Sequence, residues 1–259
     1  MIAYPDIDPI IFSIGPLAVR WYGMMYLLGF LAAFLLGRKR AQRADSPLKP
    51  EQIEDFIFYG AIGAVLGGRL GYVFFYGFDR LLAEPLWLFK VWEGGMAFHG
   101  GLLGVVLAMF FYARKLEQPF GELCDFVAPL APLGLGLGRL ANFINAELYG
   151  RTTDAPWAMV FPSDPLQLPR HPSQLYQFLL EGVILFLLVW VYSARPRQRW
   201  QVSGLFLCVY AIARILVEFV REPDAALAFE WMTRGQLLSL PMLALGLFLL
   251  ARPAFNKNT

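Results

Sequence analysis

Gly138-Arg139-Leu140-Ala141-Asn142-Phe143-Ile144-Asn145-Ala146-Glu147-Leu148-Tyr149-Gly150-Arg151 sets an arginine near the end of an apolar, membrane-type run. Two asparagines, a glutamate and a second arginine follow within twelve residues. A bilayer core resists a central arginine by roughly 2.5–3.5 kcal/mol, so polar groups at that depth are functional candidates from the start. A guanidinium there suits an anionic lipid headgroup, because its planar fork matches phosphate oxygens.

The rest of the chain agrees with a membrane setting. Hydrophobic residues make up 58% of 259, charged residues 16% and aromatics 16%, which is too apolar for an ordinary soluble domain. Cys124 and Cys208 lie far apart in apolar surroundings and offer neither a disulfide framework nor a metal motif. Residues 1–20 lack a basic start and carry Asp6, Asp8 and three prolines, so no cleavable signal peptide is expected. No large soluble domain, nucleotide-binding loop or fixed-period repeat stands out.

Apolar runs long enough to cross a bilayer occur at about 18–37, 56–76, 97–113, 123–143, 174–192, 203–220 and 235–252. Backbone groups in lipid must be satisfied within the segment, so these runs are helices. The expected fold is an all-α integral membrane protein: a seven-transmembrane-helix bundle forming one polytopic domain over 1–259. Alternate connections carry Arg38, Lys39, Arg40, Arg43 and Lys49, then Arg114 and Lys115, then Arg195, Arg197 and Arg199, then Arg252 and Lys257. Those twelve face five on the other side, namely Arg80, Lys90, Arg151, Arg170 and Arg234. The positive-inside rule makes the richer side cytoplasmic, with the N-terminus outside and the C-terminus cytoplasmic. The connection at about 144–173 then forms a small extracytoplasmic head, with Ser173 a cap for the fifth span.

Direction assigns depth. Tyr22 and His99 lie near the outer ends of inward-running spans; Arg139, Asn142 and Arg221 lie near the outer ends of outward-running ones. His99 sits in Gly94-Gly95-Met96-Ala97-Phe98-His99-Gly100-Gly101, where glycines permit close approach and a neutral imidazole can take a proton. An interfacial histidine bonded to a carbonyl is the plainer reading. His171, in a loop beside proline, reads as structural. Arg214 and Arg221 flank Glu218 at helical spacings, which fits an ion-pair network as well as a ligand site. Of the two, Arg221 is nearer the outer end and better placed for ligand. Gly63, Gly67 and Gly71 make a close-packing face, beside which Arg69 is either a structural anchor or a headgroup contact. Tyr22 can equally be an aromatic-belt residue.

Several blocks together resemble the bacterial prolipoprotein diacylglyceryl transferases over nearly the whole chain. They are Phe12-Ser13-Ile14-Gly15-Pro16 with Trp21-Tyr22-Gly23, Leu66-Gly67-Gly68-Arg69-Leu70-Gly71-Tyr72, the His99 block, the Arg139 block, Arg170-His171-Pro172-Ser173-Gln174-Leu175-Tyr176, and Glu218-Phe219-Val220-Arg221-Glu222-Pro223-Asp224. The resemblance implies transfer of the diacylglyceryl group of phosphatidylglycerol to the lipobox cysteine of a prolipoprotein signal peptide, releasing glycerol 1-phosphate. It implies importance for Tyr22, His99, Arg139, Asn142, Glu147, Gly150 and Arg221. The expected catalytic residues are His99, Arg139, Arg221 and Tyr22. The expected substrate-binding residues are Arg139, Asn142, Glu147 and Gly150, with Asn145 and Arg69 added from their places in the sequence. Membrane lipids are the surroundings; no metal, other cofactor or nucleic-acid partner is expected. The location is the bacterial cytoplasmic (inner) membrane, multi-pass, with the active site towards the outer leaflet. A lipid or anion transporter is the competing class, disfavoured because the polar groups gather at one membrane face and not at the midplane. A membrane scaffold leaves the intramembrane charges without a purpose.

Overall fold

The computed structural model describes residues 2–5, 7–15, 17–223 and 231–251. Asp6, Pro16, Asp224, Arg252 and Lys257, used in the sequence reading, lie outside the described residues. The chain divides into two compact units: residues 37–124, and residues 1–36 with 125–259.

In the smaller unit, α2 (Ile53–Tyr76) packs against α4 (Phe98–Lys115). Their glycines meet in reversed order, Gly63 on Gly104, Gly67 on Gly100 and Gly104, and Gly71 on Gly100, so the helices run antiparallel. A β-carbon at Gly67 would overlap the Gly100 carbonyl, and one at Gly104 that of Gly63, which is the close-packing face expected of small residues in membrane helices. Between them lie α3 (Phe78–Ala83) and two short 3-10 turns, Pro85–Phe89 and Val91–Glu93.

The larger unit opens with a hairpin of β1 (Ile10–Ile14) and β2 (Leu17–Arg20), turned at Gly15 with φ +59°, and α1 (Trp21–Ala41) follows directly. The first span therefore starts three residues later than expected at 18, because a short apolar run reads alike as strand or helix. The fourth span is broken into α5 (Phe120–Val127) and α6 (Ala131–Ile144), bent by 46°. Strands β3 (Met159–Val160) and β4 (Pro169–Arg170) form a small sheet in the following connection.

The fifth span is α7 (Ser173–Gln177), a π-helical turn over Phe178–Ile184, and α8 (Leu185–Tyr192). Ser173 does not cap it. Pro172 holds the cap position, and the buried Ser173 hydroxyl donates to the Leu148 carbonyl at 3.0 Å. Helix α9 (Gln201–Glu218) begins on Asp125, whose carboxylate accepts from the Trp200 and Ser203 amides at 2.6 and 2.7 Å. It packs on α10 (Arg234–Ala251) where Gly204 and Gly246 meet.

Among the described residues, five helices are long and apolar enough to cross a membrane, or six with the bent pair taken as one span. Helix α4 also occupies an expected span, with His99 at one end and Arg114 and Lys115 at the other. Large apolar side chains such as Phe75, Phe111 and Leu27 point outward from the helices, as a lipid-facing surface requires.

Candidate functional site

The end of α6 shapes the site. Ala146 takes a left-handed conformation, φ 55°, its amide bonds the Phe143 carbonyl at 2.9 Å and the Glu147 amide bonds the Asn142 carbonyl at 3.0 Å. This is a Schellman reversal with alanine where glycine is usual. It folds Glu147 back over the helix end, where Oε1 accepts from Asn142 Nδ2 at 3.0 Å and Asn145 Nδ2 at 3.4 Å. Gln174 of α7 fixes the same turn by donating to the Glu147 carbonyl at 2.8 Å. Tyr22 packs against the cluster of Met25, Ala141 and Ile144, in the field of Arg139 and Glu147.

One turn back on α6, Arg139 meets Glu181. Gly136 and Gly182 bring α6 and the π turn into backbone contact, since a β-carbon at Gly136 would sit 2.9 Å from the Gly182 α-carbon. Glu181 is completely buried, and its Oε2 lies 3.3 Å from Arg139 Nε. Gln177 Nε2 donates to Oε1 at 3.2 Å, and Arg214 Nη1 stands 3.9 Å from the same oxygen. The other arm of Arg214 pairs with Glu218 at 2.5 Å, and Arg221 Nη1 lies 3.6 Å from Glu218. Arginine and glutamate thus alternate from α6 across the π turn to the end of α9. Within it, Arg214 Nη1 is buried with no hydrogen-bond acceptor among the described residues. Glu181 meets Nε of Arg139, and the Tyr210 hydroxyl hydrogen-bonds the same guanidinium.

Arg221 follows the end of α9 and is held by its backbone. It forms a bridge with Gly150, and its carbonyl accepts from Arg151 Nε at 3.0 Å. Only glycine fits at 150: a β-carbon would come within 2.5 Å of the Val220 carbonyl and 2.7 Å of His171 Cβ. His171 therefore contributes packing and its carbonyl, which accepts the Gly150 amide at 2.8 Å. The adjoining connection is clamped by Arg170, which bonds Asp164 at 2.6 and 3.1 Å and Glu222 at 3.2 Å over the face of Tyr149. The Arg170 guanidinium and two backbone amides hold the Asp164 carboxyl down at about 2.

The remaining predicted residues belong to the smaller unit. Arg69 is buried and gives its guanidinium to the carbonyls of Trp87 at 2.5 Å, Leu88 at 3.0 Å, Gly94 at 2.5 Å and Gly95 at 3.3 Å. Of its two readings, anchor or headgroup contact, this geometry supports the anchor: the side chain organises the loop that leads into α4. His99 stands exposed in the first turn of α4, edge-on to Phe98 at 5.5 Å.

Sequence reasoning passed over Glu181, Gln174 and Gln177. An acid within the apolar fifth span was the available signal, by the same rule that singled out Arg139. It also ranked Arg221 above Arg214 as the ligand arginine, whereas in the structure it is Arg214 that shares Glu181 with Arg139.

The family model for prolipoprotein diacylglyceryl transferase matches residues 9–252. A phosphatidylglycerol–prolipoprotein diacylglyceryl transferase of Marinomonas sp. (strain MWYL1) is 59% identical, with 95% of this chain and 93% of the relative covered. The enzyme of the same name from Vibrio cholerae serotype O1 (strain ATCC 39315 / El Tor Inaba N16961) is 58% identical, with 95% and 92% covered. That of Pseudomonas putida (strain W619) is 55% identical, with 100% and 97% covered. With its helical membrane architecture and buried arginine–glutamate network, the chain belongs to the prolipoprotein diacylglyceryl transferase family.

Proposed function

We propose that this chain transfers the diacylglyceryl group of phosphatidylglycerol to the lipobox cysteine of a prolipoprotein, the first step of lipoprotein maturation. The names of its relatives supply the two substrates. The observation that carries the reading is the pairing of Arg139 and Arg214 across Glu181, with Arg214 Nη1 buried and without an acceptor among the described residues.

The chemistry follows. A thiol with pKa near 8.5 is only a few per cent thiolate at neutral pH, so a base must take its proton. We assign that step to His99 on its chemistry. The thiolate attacks the glycerol carbon that bears the phosphate ester. A carbon–sulfur bond forms, the carbon–oxygen bond breaks, and the electron pair leaves with the phosphate as glycerol 1-phosphate. Negative charge gathers on that leaving group, where Arg139 and Arg214 stabilise it; one preorganised donor is worth about 3 kcal/mol, or about a hundredfold in rate. Arg221 is assigned to hold the Gly150 bridge and orient Glu218 at the edge of the site. Asn142, Asn145 and Glu147 shape the headgroup turn, with Tyr22 against them.

Counting α4, the protein crosses the bacterial inner membrane seven times as one polytopic domain, with the N-terminus outside and the site towards the outer leaflet. The basic residues of the alternate connections support this orientation. The test is transfer in phosphatidylglycerol vesicles given a lipobox peptide. Glycerol 1-phosphate should appear as the peptide gains one diacylglyceryl mass. Redistribution of intact lipid with neither product would assign the protein to transport instead.

A further inference from the structure

We propose that Glu181 is a positioning residue that sets the charge of the headgroup site, so that it holds a phosphodiester monoanion and lets a phosphomonoester dianion go. The inference rests on the reading of Arg139 and Arg214 as the phosphate grip. Glu181 is completely buried on the π turn, in contact with Arg139 of α6, Arg214 of α9 and Gln177 one turn before it. A carboxylate in a membrane helix is costly to keep, and π turns recur at functional sites because the extra residue re-aims a side chain. Here the turn aims an acid between two arginines that lie on separate helices. The acid spaces the guanidiniums and subtracts one unit of charge where the phosphate docks.

That subtraction distinguishes substrate from product. Phosphatidylglycerol presents a phosphodiester with one negative charge. The released phosphomonoester carries nearly two at neutral pH, because its second ionisation lies near pH 6. A fixed anion beside the arginines repels the second charge as well as the first, and does so strongly in a low-dielectric surrounding. Glu181 thereby favours departure of glycerol 1-phosphate over its retention.

The test compares the inhibition constant of glycerol 1-phosphate with KM for phosphatidylglycerol; neither depends on the fraction of active protein. In Glu181→Gln the inhibition constant should fall at least about tenfold relative to KM. Glu181→Asp keeps the charge, and its ratio should stay within about threefold of wild type. If Glu181→Gln turns over too slowly to titrate, calorimetric binding of glycerol 1-phosphate to the purified variant should tighten by the same factor. An unchanged constant in Glu181→Gln overturns the proposal. Arg139→Ala separates the two levels of the argument: if it binds glycerol 1-phosphate as wild type does, the phosphate grip itself fails, and not only the part given to Glu181.

Discussion

At the scale of single residues, what matters is which guanidinium is spent and which is available. Arg69 is consumed by four carbonyls and Arg170 by two carboxylates, so both act as internal braces. Arg139 and Arg214 meet beside a shared carboxylate, and Arg214 Nη1 has no acceptor among the described residues. The sequence marks Arg69, Arg139 and Arg214 as charges in unusual places, but does not sort them. Spacing put Arg214, Glu218 and Arg221 on one helical face, yet α9 ends at Glu218 and Arg221 falls into a bridge with Gly150. The helix end hidden in that apolar run leaves no mark in the spacing, so the different settings of the two arginines were not legible. His99 is argued on residue chemistry, and its test is at this scale too. His99→Gln should lose the rise in transfer rate through the pH range where imidazole deprotonates, near 6.5. A pH–rate profile matching wild type would take the base role away from it.

At the scale of elements, local backbone devices place the chemistry. The glycine pairs Gly136–Gly182 and Gly204–Gly246 close the gaps between helices, and the π turn rotates Glu181 towards α6. Glycine spacing was legible in the smaller unit, where Gly63, Gly67 and Gly71 do pack on α4. The π turn was not, because an inserted residue leaves no mark in hydrophobicity. The Ala146 reversal escaped for a related reason: a left-handed position filled by alanine lacks the glycine that would announce it. The clamp on β4 makes a prediction of its own. Arg170 holds the Asp164 carboxyl down at about 2 from an ordinary 3.8, so its stabilisation is fully present above the ordinary value and is lost as pH falls through about 2. Hydrogen-exchange protection factors across the connection should stay level down to about pH 5 and decline towards pH 2. Asp164→Asn should lower them throughout that range, and an acid-insensitive wild type would refute the clamp.

At the scale of the whole molecule, membrane insertion sets the terms on which these residues work. The apolar helices of membrane-spanning length were legible because that length follows from bilayer thickness; among the described residues five, or six with the bent pair, meet it. The N-terminal hairpin and the bend between α5 and α6 were not, since both are tertiary choices made within continuous apolar sequence. Family membership is seen over 9–252, and the proposed function places the departing phosphate at the buried network. The account stands on that last assignment. Its most direct test is transfer of diacylglycerol to a lipobox peptide by Arg139→Ala, in vesicles of phosphatidylglycerol, beside wild type. The rate is expected to fall by at least about a hundredfold, with the helical content of the protein retained. Near-normal transfer by that variant would contradict it.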